Sequence, residues 1–224
     1  MRRAHHSRRE ACNMPQYRRA RGNAFFFTVV LADRSSTLLV NRADRLRRIY
    51  HTVQQRRPFE TVAICILPDH LHAIWSLPED DADFSSRWNL IKGGFSRGLE
   101  AQMRSISKSR KREKGIWQRR YWEHAIRDDA DLARHVDYIH FNPVKHGLVT
   151  RVRDWSLSSF HRYVDQGTLP VDWGGTCGIW RGSSENDGGH GARRARLCPP
   201  YEISLVYPPN GYRRAGKAKR AHHL

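Results

Sequence analysis

The chain has 224 residues and carries 40 Lys+Arg against 22 Asp+Glu, a formal charge of +18. With 39% apolar residues and a mean hydropathy of −0.74 it can bury a core, yet no apolar run approaches the ~20 residues of a membrane helix. Its four cysteines (Cys12, Cys65, Cys177, Cys198) lie far apart without a CxxC pair, which argues against a disulfide scaffold or a zinc ribbon. A cytoplasmic protein is expected, and a basic soluble chain most often meets nucleic acid, because cationic side chains release counterions from phosphates. The excess is uneven: residues 1–22 carry seven basic and one acidic side chains and residues 181–224 nine and three, so two thirds of it sits at the ends.

In chain order, residues 1–22 read as a basic flexible arm, residues 23–173 as one folded domain and residues 174–224 as a disordered basic tail. Ala24–Ala32 (AFFFTVVLA) resembles a signal-peptide core behind an Arg-rich start. Its aromatic and β-branched content and the lack of a cleavage site make Asn23–Ala32 a buried strand instead. Asn41–Arg57 repeats Leu46, Ile49, Tyr50 and Val53 at helical spacing, with Asn41 as the expected cap. Thr61–Leu67 is a second strand, Pro68-Asp69 a turn, and His70–Leu77 a third strand. After an acidic loop, Phe84–Met103 reads as a helix through Trp88, Ile91, Phe95 and Leu99 despite Gly93-Gly94. Ser105–Gly115 is a basic loop, Ile116–Arg127 a fourth strand, and Asp128–His146 a helix with acids at its start and Pro143 expected to kink or end it. Trp155–Val164 reads as a short last helix, and Trp75, Trp88 and Trp155 are assigned to packing. The order β-α-β-β-α-β plus one more helix is an α+β, ferredoxin-like split βαβ arrangement.

Two patterns carry chemistry. His70 and His72 stand two apart on a strand, so both rings point to one face, two thirds of an open metal site. A lone H-x-H also fits one solvent-facing and one core histidine. Apolar Leu71, Ala73 and Ile74 around the pair, however, mean that polar groups there need partners or a task. Tyr138 and Asn142 stand four apart on a helix, with His135 three before Tyr138 on the same face. Alone, that pair also fits a core tyrosine and a helix end. A phenol is a nucleophile only when a cation lies nearby.

Basic residues also cluster. Arg104, Lys108, Arg110, Lys111, Arg112, Lys114, Arg119 and Arg120 fall in one stretch, with Trp117, Tyr121 and Trp122 interleaved at its end. Cations that track a backbone beside aromatics that stack bases suit single-stranded DNA, and a solvated loop over core aromatics is the alternative. Arg18, Arg19 and Arg21 are candidates for a DNA-contacting arm.

The ordered set PDHLH with AIWSLP, WQRRYWEHAIR and HVDYIHFNPVKHGLV resembles the HUH single-tyrosine transposases, and among them the REP-associated tyrosine transposases of bacteria. The likeness runs from about Met14 to Gly174 and implies that residues 1–13 extend the reading frame upstream. It implies an HUH-type ferredoxin-like domain with an added catalytic helix, metal ligation by His70, His72 and Asn142, and catalysis by Tyr138, with His135 as a candidate accessory group. It further implies cleavage and rejoining of single-stranded DNA at hairpin, REP-like sequences through a 5′-phosphotyrosine, with Mg²⁺ or Mn²⁺. Expected partners are hairpin DNA and no membrane, the expected location is the nucleoid, and both a monomer and a homodimer fit. The competing reading is a catalytically silent hairpin DNA- or RNA-binding regulator; a structural ribosome-type protein would explain the charge but neither residue pair.

Overall fold

A computed structural model describes residues 23–102 and 113–175. The expected arm, most of the expected tail and the stretch 103–112 lie outside them, and with them Arg18, Arg19, Arg104, Lys108, Arg110, Lys111 and Arg112.

Strand β1 (Asn23–Val30) leads through helices α1 (Leu38–Asn41) and α2 (Ala43–Arg56) to β2 (Glu60–Ile66), β3 (His70–Leu77), α3 (Phe84–Ser96) and β4 (Trp122–Ala125). Helix α4 (Asp129–Lys145), a 3₁₀ turn (Val152–Asp154) and α5 (Phe160–Asp165) follow. The sheet order is β2-β3-β1-β4, with every neighbouring pair antiparallel. β1 and β2 therefore run in the same direction with β3 between them, which is the split βαβ arrangement that the element order predicts.

Both faces of the sheet are covered, so all eight residues of β3 are buried. Alternation sends Leu71, Ala73, Trp75 and Leu77 to the α2/α3 side, where Trp75 stacks on Trp88 with centroids 4.2 Å apart. Trp155, half-buried, donates Nε1–H to the Ile66 carbonyl at 3.0 Å. All three tryptophans thus serve packing. Gly94 lets α3 approach α2: a Cβ there would sit 2.7 Å from Ile49 Cγ2.

Five local expectations are corrected. Asn41 ends α1, its Nδ2 bonding Thr37 Oγ1, and does not cap α2, which Arg42 precedes without a side-chain cap. Helix α3 stops at Ser96, because Arg97 is extended and Gly98 takes φ +79°; Leu99 still packs on the core. Only Trp122–Ala125 of the expected fourth strand pairs with β1, while Trp117 makes a single bridge to Leu31. Pro143 lies inside α4, which continues to Lys145. The last helix begins at Phe160 rather than Trp155.

Candidate active site

β3 begins directly after the Asp69 turn, so His70 and His72 stand at one end of the central strands, on the face that meets α4. Their rings are 4.9 Å apart, nearly perpendicular at 85°. Each is held by its Nδ1. Asp69 Oδ1 lies 2.7 Å from His70 Nδ1, and Arg34 anchors the other Asp69 oxygen at 2.8 Å. Thr28 Oγ1, directly across β1, lies 2.9 Å from His72 Nδ1. With Nδ1–H donated to these oxygens, Nε2 keeps the lone pair on both rings. Burial pushes the pKa of His70 down, against the pull of Asp69, and burial followed by the charges of His70, His146 and Lys145 pushes His72 well down. Both rings are therefore neutral at neutral pH and able to ligate.

Helix α4 is capped by Asp128, whose side chain accepts from Asp131 N–H at 2.7 Å, with Asp129 and Asp131 at its positive end. Leu132, Val136 and Ile139 lay the helix on the sheet. The same docking carries Tyr138 onto His72, with ring centroids 5.2 Å apart, and onto Phe26 at 6.1 Å. One turn later Asn142 is fully buried, and neither Oδ1 nor Nδ2 has a hydrogen-bond partner among the described residues; His72 Nε2 has none either. Orphaned buried polar atoms cost about 1–3 kcal/mol each unless a ligand satisfies them. Two imidazole nitrogens and one amide oxygen are donors that suit a divalent cation of the Mn²⁺ type and tolerate Mg²⁺.

Two groups were missed. Lys145, exposed and seven residues after Tyr138, places Nζ 5.0 Å from the Tyr138 ring centroid. Two helical turns return a side chain to the same face, so the spacing alone was the available signal. The His146 ring stands 5.3 Å from that of His70; it lies just past the helix, where periodicity says nothing.

His135 joins a network with His124 and Asp131, three ligand-type groups whose donor atoms lie within 4.8 Å of one another. The Asp131 carboxylate accepts from His124 Nε2 at 2.8 Å, Arg127 N–H at 3.1 Å and Arg134 Nη2 at 3.2 Å. With donors on both oxygens and a guanidinium already present, the Asp131 carboxylate is satisfied by hydrogen bonds. His135 Nδ1–H is donated to the Asp131 carbonyl at 2.8 Å, and the buried Nε2 has no partner among the described residues. His135 and Tyr138 both pack on Phe26.

Of the expected DNA-contacting residues, four are described. Lys114 donates to the Leu99 carbonyl; Arg119 pairs with Glu113 at 3.0 Å; Arg120 is exposed. Trp117 is a correction. It is 7% exposed and its ring packs 5.4 Å from that of Phe95, inside the α2/α3 core, where no base can reach it.

The family described as "Transposase IS200 like" matches residues 24–142, the span from β1 to Asn142. The chain belongs to this family. It is 48% identical over 164 residues to the REP-associated tyrosine transposase of Escherichia coli K12, covering 72% of this chain and 92% of that one. It is also 51% identical over 166 residues to a Haemophilus influenzae protein named provisionally as the same kind, covering 72% and 94%. A solved structure of a REP-associated tyrosine transposase bound to a REP hairpin matches with a TM-score of 0.61 and 44% identity, covering 78% of this chain and all of that one. The family therefore supports transposase activity in general for an α+β fold of the HUH type, and among the described residues no helix is long and apolar enough to cross a membrane.

Proposed function

We propose that this chain cleaves and rejoins single-stranded DNA at REP-like hairpins through a covalent tyrosine intermediate, with Mg²⁺ or Mn²⁺ as cofactor. The observation that carries the reading is the convergence, within one chain, of the Tyr138 ring on His72, beneath Lys145 and one turn from buried Asn142, whose amide has no partner among the described residues. The relatives named for REP-associated transposition, one of them solved with a REP hairpin, supply the substrate class.

The divalent ion, held by His70, His72 and Asn142, would polarise the scissile phosphodiester as a Lewis acid. Asp69 and Thr28 orient the two imidazoles, so the phosphate binds in a preset position. The Tyr138 oxygen attacks phosphorus in line. A new O–P bond forms, the P–O3′ bond breaks, and the phenolic proton is lost while the 3′ oxygen gains one. The products are a 5′-phosphotyrosine and a free 3′-OH, with the number of phosphodiester bonds unchanged, so a second 3′-OH can reverse the step without a nucleotide energy source. Lys145 places a positive charge over the phenol ring and so favours the phenolate and the incoming phosphate. Arg119, Arg120 and Lys114, together with the basic stretch from Arg104 to Arg112 and the arm at Arg18 and Arg19, are proposed to follow the DNA backbone. The contact of Tyr138 with His72 of its own chain supports a single cleavage by one monomer; full transposition uses each tyrosine twice or two copies.

Incubation with a single-stranded oligonucleotide carrying a REP hairpin and Mn²⁺ is expected to give a detergent-stable protein–DNA adduct. Adduct from Tyr138→Phe would remove Tyr138 as nucleophile. No adduct from the parent chain, with hairpin binding intact, would establish the silent regulator instead.

A further inference from the structure

Trp117 is in the core, but five residues later Trp122 is exposed, with 36% of its surface open, on the α4 side of the sheet. Its ring lies parallel to that of His124, at 4° and 5.9 Å, and His124 lies on His135 at 17° and 4.9 Å. Three near-parallel rings thus run from solvent toward the interior. Strand register fixes where this column stands. His72 faces Thr28 on β1, and Thr28 faces Trp122 on β4, so the tryptophan occupies the same cross-strand row as the second histidine, two strands away. At ~4.8 Å per strand that is about 10 Å. Phe26 joins the two ends: its ring is 5.4 Å from Trp122, 5.5 Å from His72 and 6.1 Å from Tyr138.

We infer that Trp122 is a base-stacking subsite, which takes an unpaired nucleobase within two nucleotides of the phosphate that Tyr138 attacks. This rests on the reading above that single-stranded DNA is the substrate. A base has the flat π face that would extend the ring column. The chain's own cations lie nearby to follow the backbone: Arg120 precedes Trp122 by two residues and is exposed, and Lys145 overhangs Tyr138. Stacking needs no particular base, so the subsite positions the strand while other contacts select its sequence. The network of Asp131 with His124 and His135 has a role in this account: it holds the rings beneath Trp122 in a fixed plane.

The test is binding, separate from cleavage. Tyr138→Phe protein is titrated with a REP hairpin oligonucleotide and with a series bearing one abasic site at each position near the hairpin foot. Trp122→Ala is expected to bind the intact oligonucleotide about tenfold or more weakly, and Trp122→Phe to recover most of that loss. At one abasic position the parent should bind as weakly as Trp122→Ala, with no further loss from the substitution. Equal binding of intact DNA by parent and Trp122→Ala, both folded by circular dichroism, would overturn the inference. So would a loss that persists undiminished at every abasic position. Failure of the wider reading shows elsewhere, as the absence of adduct from the unsubstituted chain.

Discussion

The two faces of the sheet are built on opposite terms. On the α2/α3 face the core is continuous and aromatic, with Phe27, Trp75, Trp88 and Phe95 fully buried against one another; Trp88 Nε1 has no hydrogen-bond partner among the described residues. On the α4 face an apolar base from Phe26, Ile74 and Val136 is interrupted by His72, His135, His140 and Asn142, all buried and each with a side-chain atom that lacks a partner among the described residues. The first face stores stability. The second gives some of it up to hold polar atoms dry and aimed, which is what a preorganised ligand site requires.

The largest effect expected from separating these roles is on chemistry alone. Tyr138→Phe should abolish the detergent-stable adduct, while a thermal melt stays close to the parent. Next, Trp88→Ala should cost about 3–5 kcal/mol in urea denaturation, with Mn²⁺ affinity unchanged in the fraction still folded. A parallel loss of metal binding would mean that the two faces are coupled. Asn142→Leu sharpens the contrast. Metal-free protein should become more stable by about 1–2 kcal/mol, because two orphaned atoms are removed, while Mn²⁺ affinity by calorimetry drops about 10–100-fold.

Acid should act on the α4 face. Burial chiefly holds the His140 pKa at about 3 against an ordinary 6.5, while the ring packs on Phe160 and Tyr163 with Nε2 bonded to Ser159. Between those values the unfolded chain binds a proton that the folded chain refuses. Stability from this group is therefore complete above pH 6.5 and lost as pH falls, by about 1.4 kcal/mol per unit. Urea midpoints at pH 7 and pH 5 measure it, and His140→Gln should flatten the slope. Smallest is the effect of Arg120→Ala: stability within about 0.5 kcal/mol of the parent and a salt slope of DNA binding lowered by about 1.

Legibility followed the same divide. Strand β3 was readable to the residue because a turn precedes it and an acidic loop follows it, and the facing of His70 and His72 followed from period two alone. Helix α4 was readable from its acids and its apolar stripe, and with it the shared face of Tyr138 and Asn142. The end of α3 was not, since Leu99 continues the apolar pattern into a segment that packs without being helical. The sequence groups the tryptophans next to the basic stretch together, and only the structure separates them. Trp117 and Trp122 look alike in composition, but one lies where the chain crosses behind Phe95 and the other on an edge strand.

From the amino-acid order alone came the groups able to do the chemistry and the periodicities that face them to one side of each element, because local geometry depends on neighbours a few residues away. Only the tertiary structure decided which element lies on which. It set Lys145 over the phenol, left the amide of Asn142 without a partner among the described residues, and opened Trp122 rather than Trp117 to solvent. Those outcomes depend on contacts between segments distant in sequence, which no pattern within a single segment encodes.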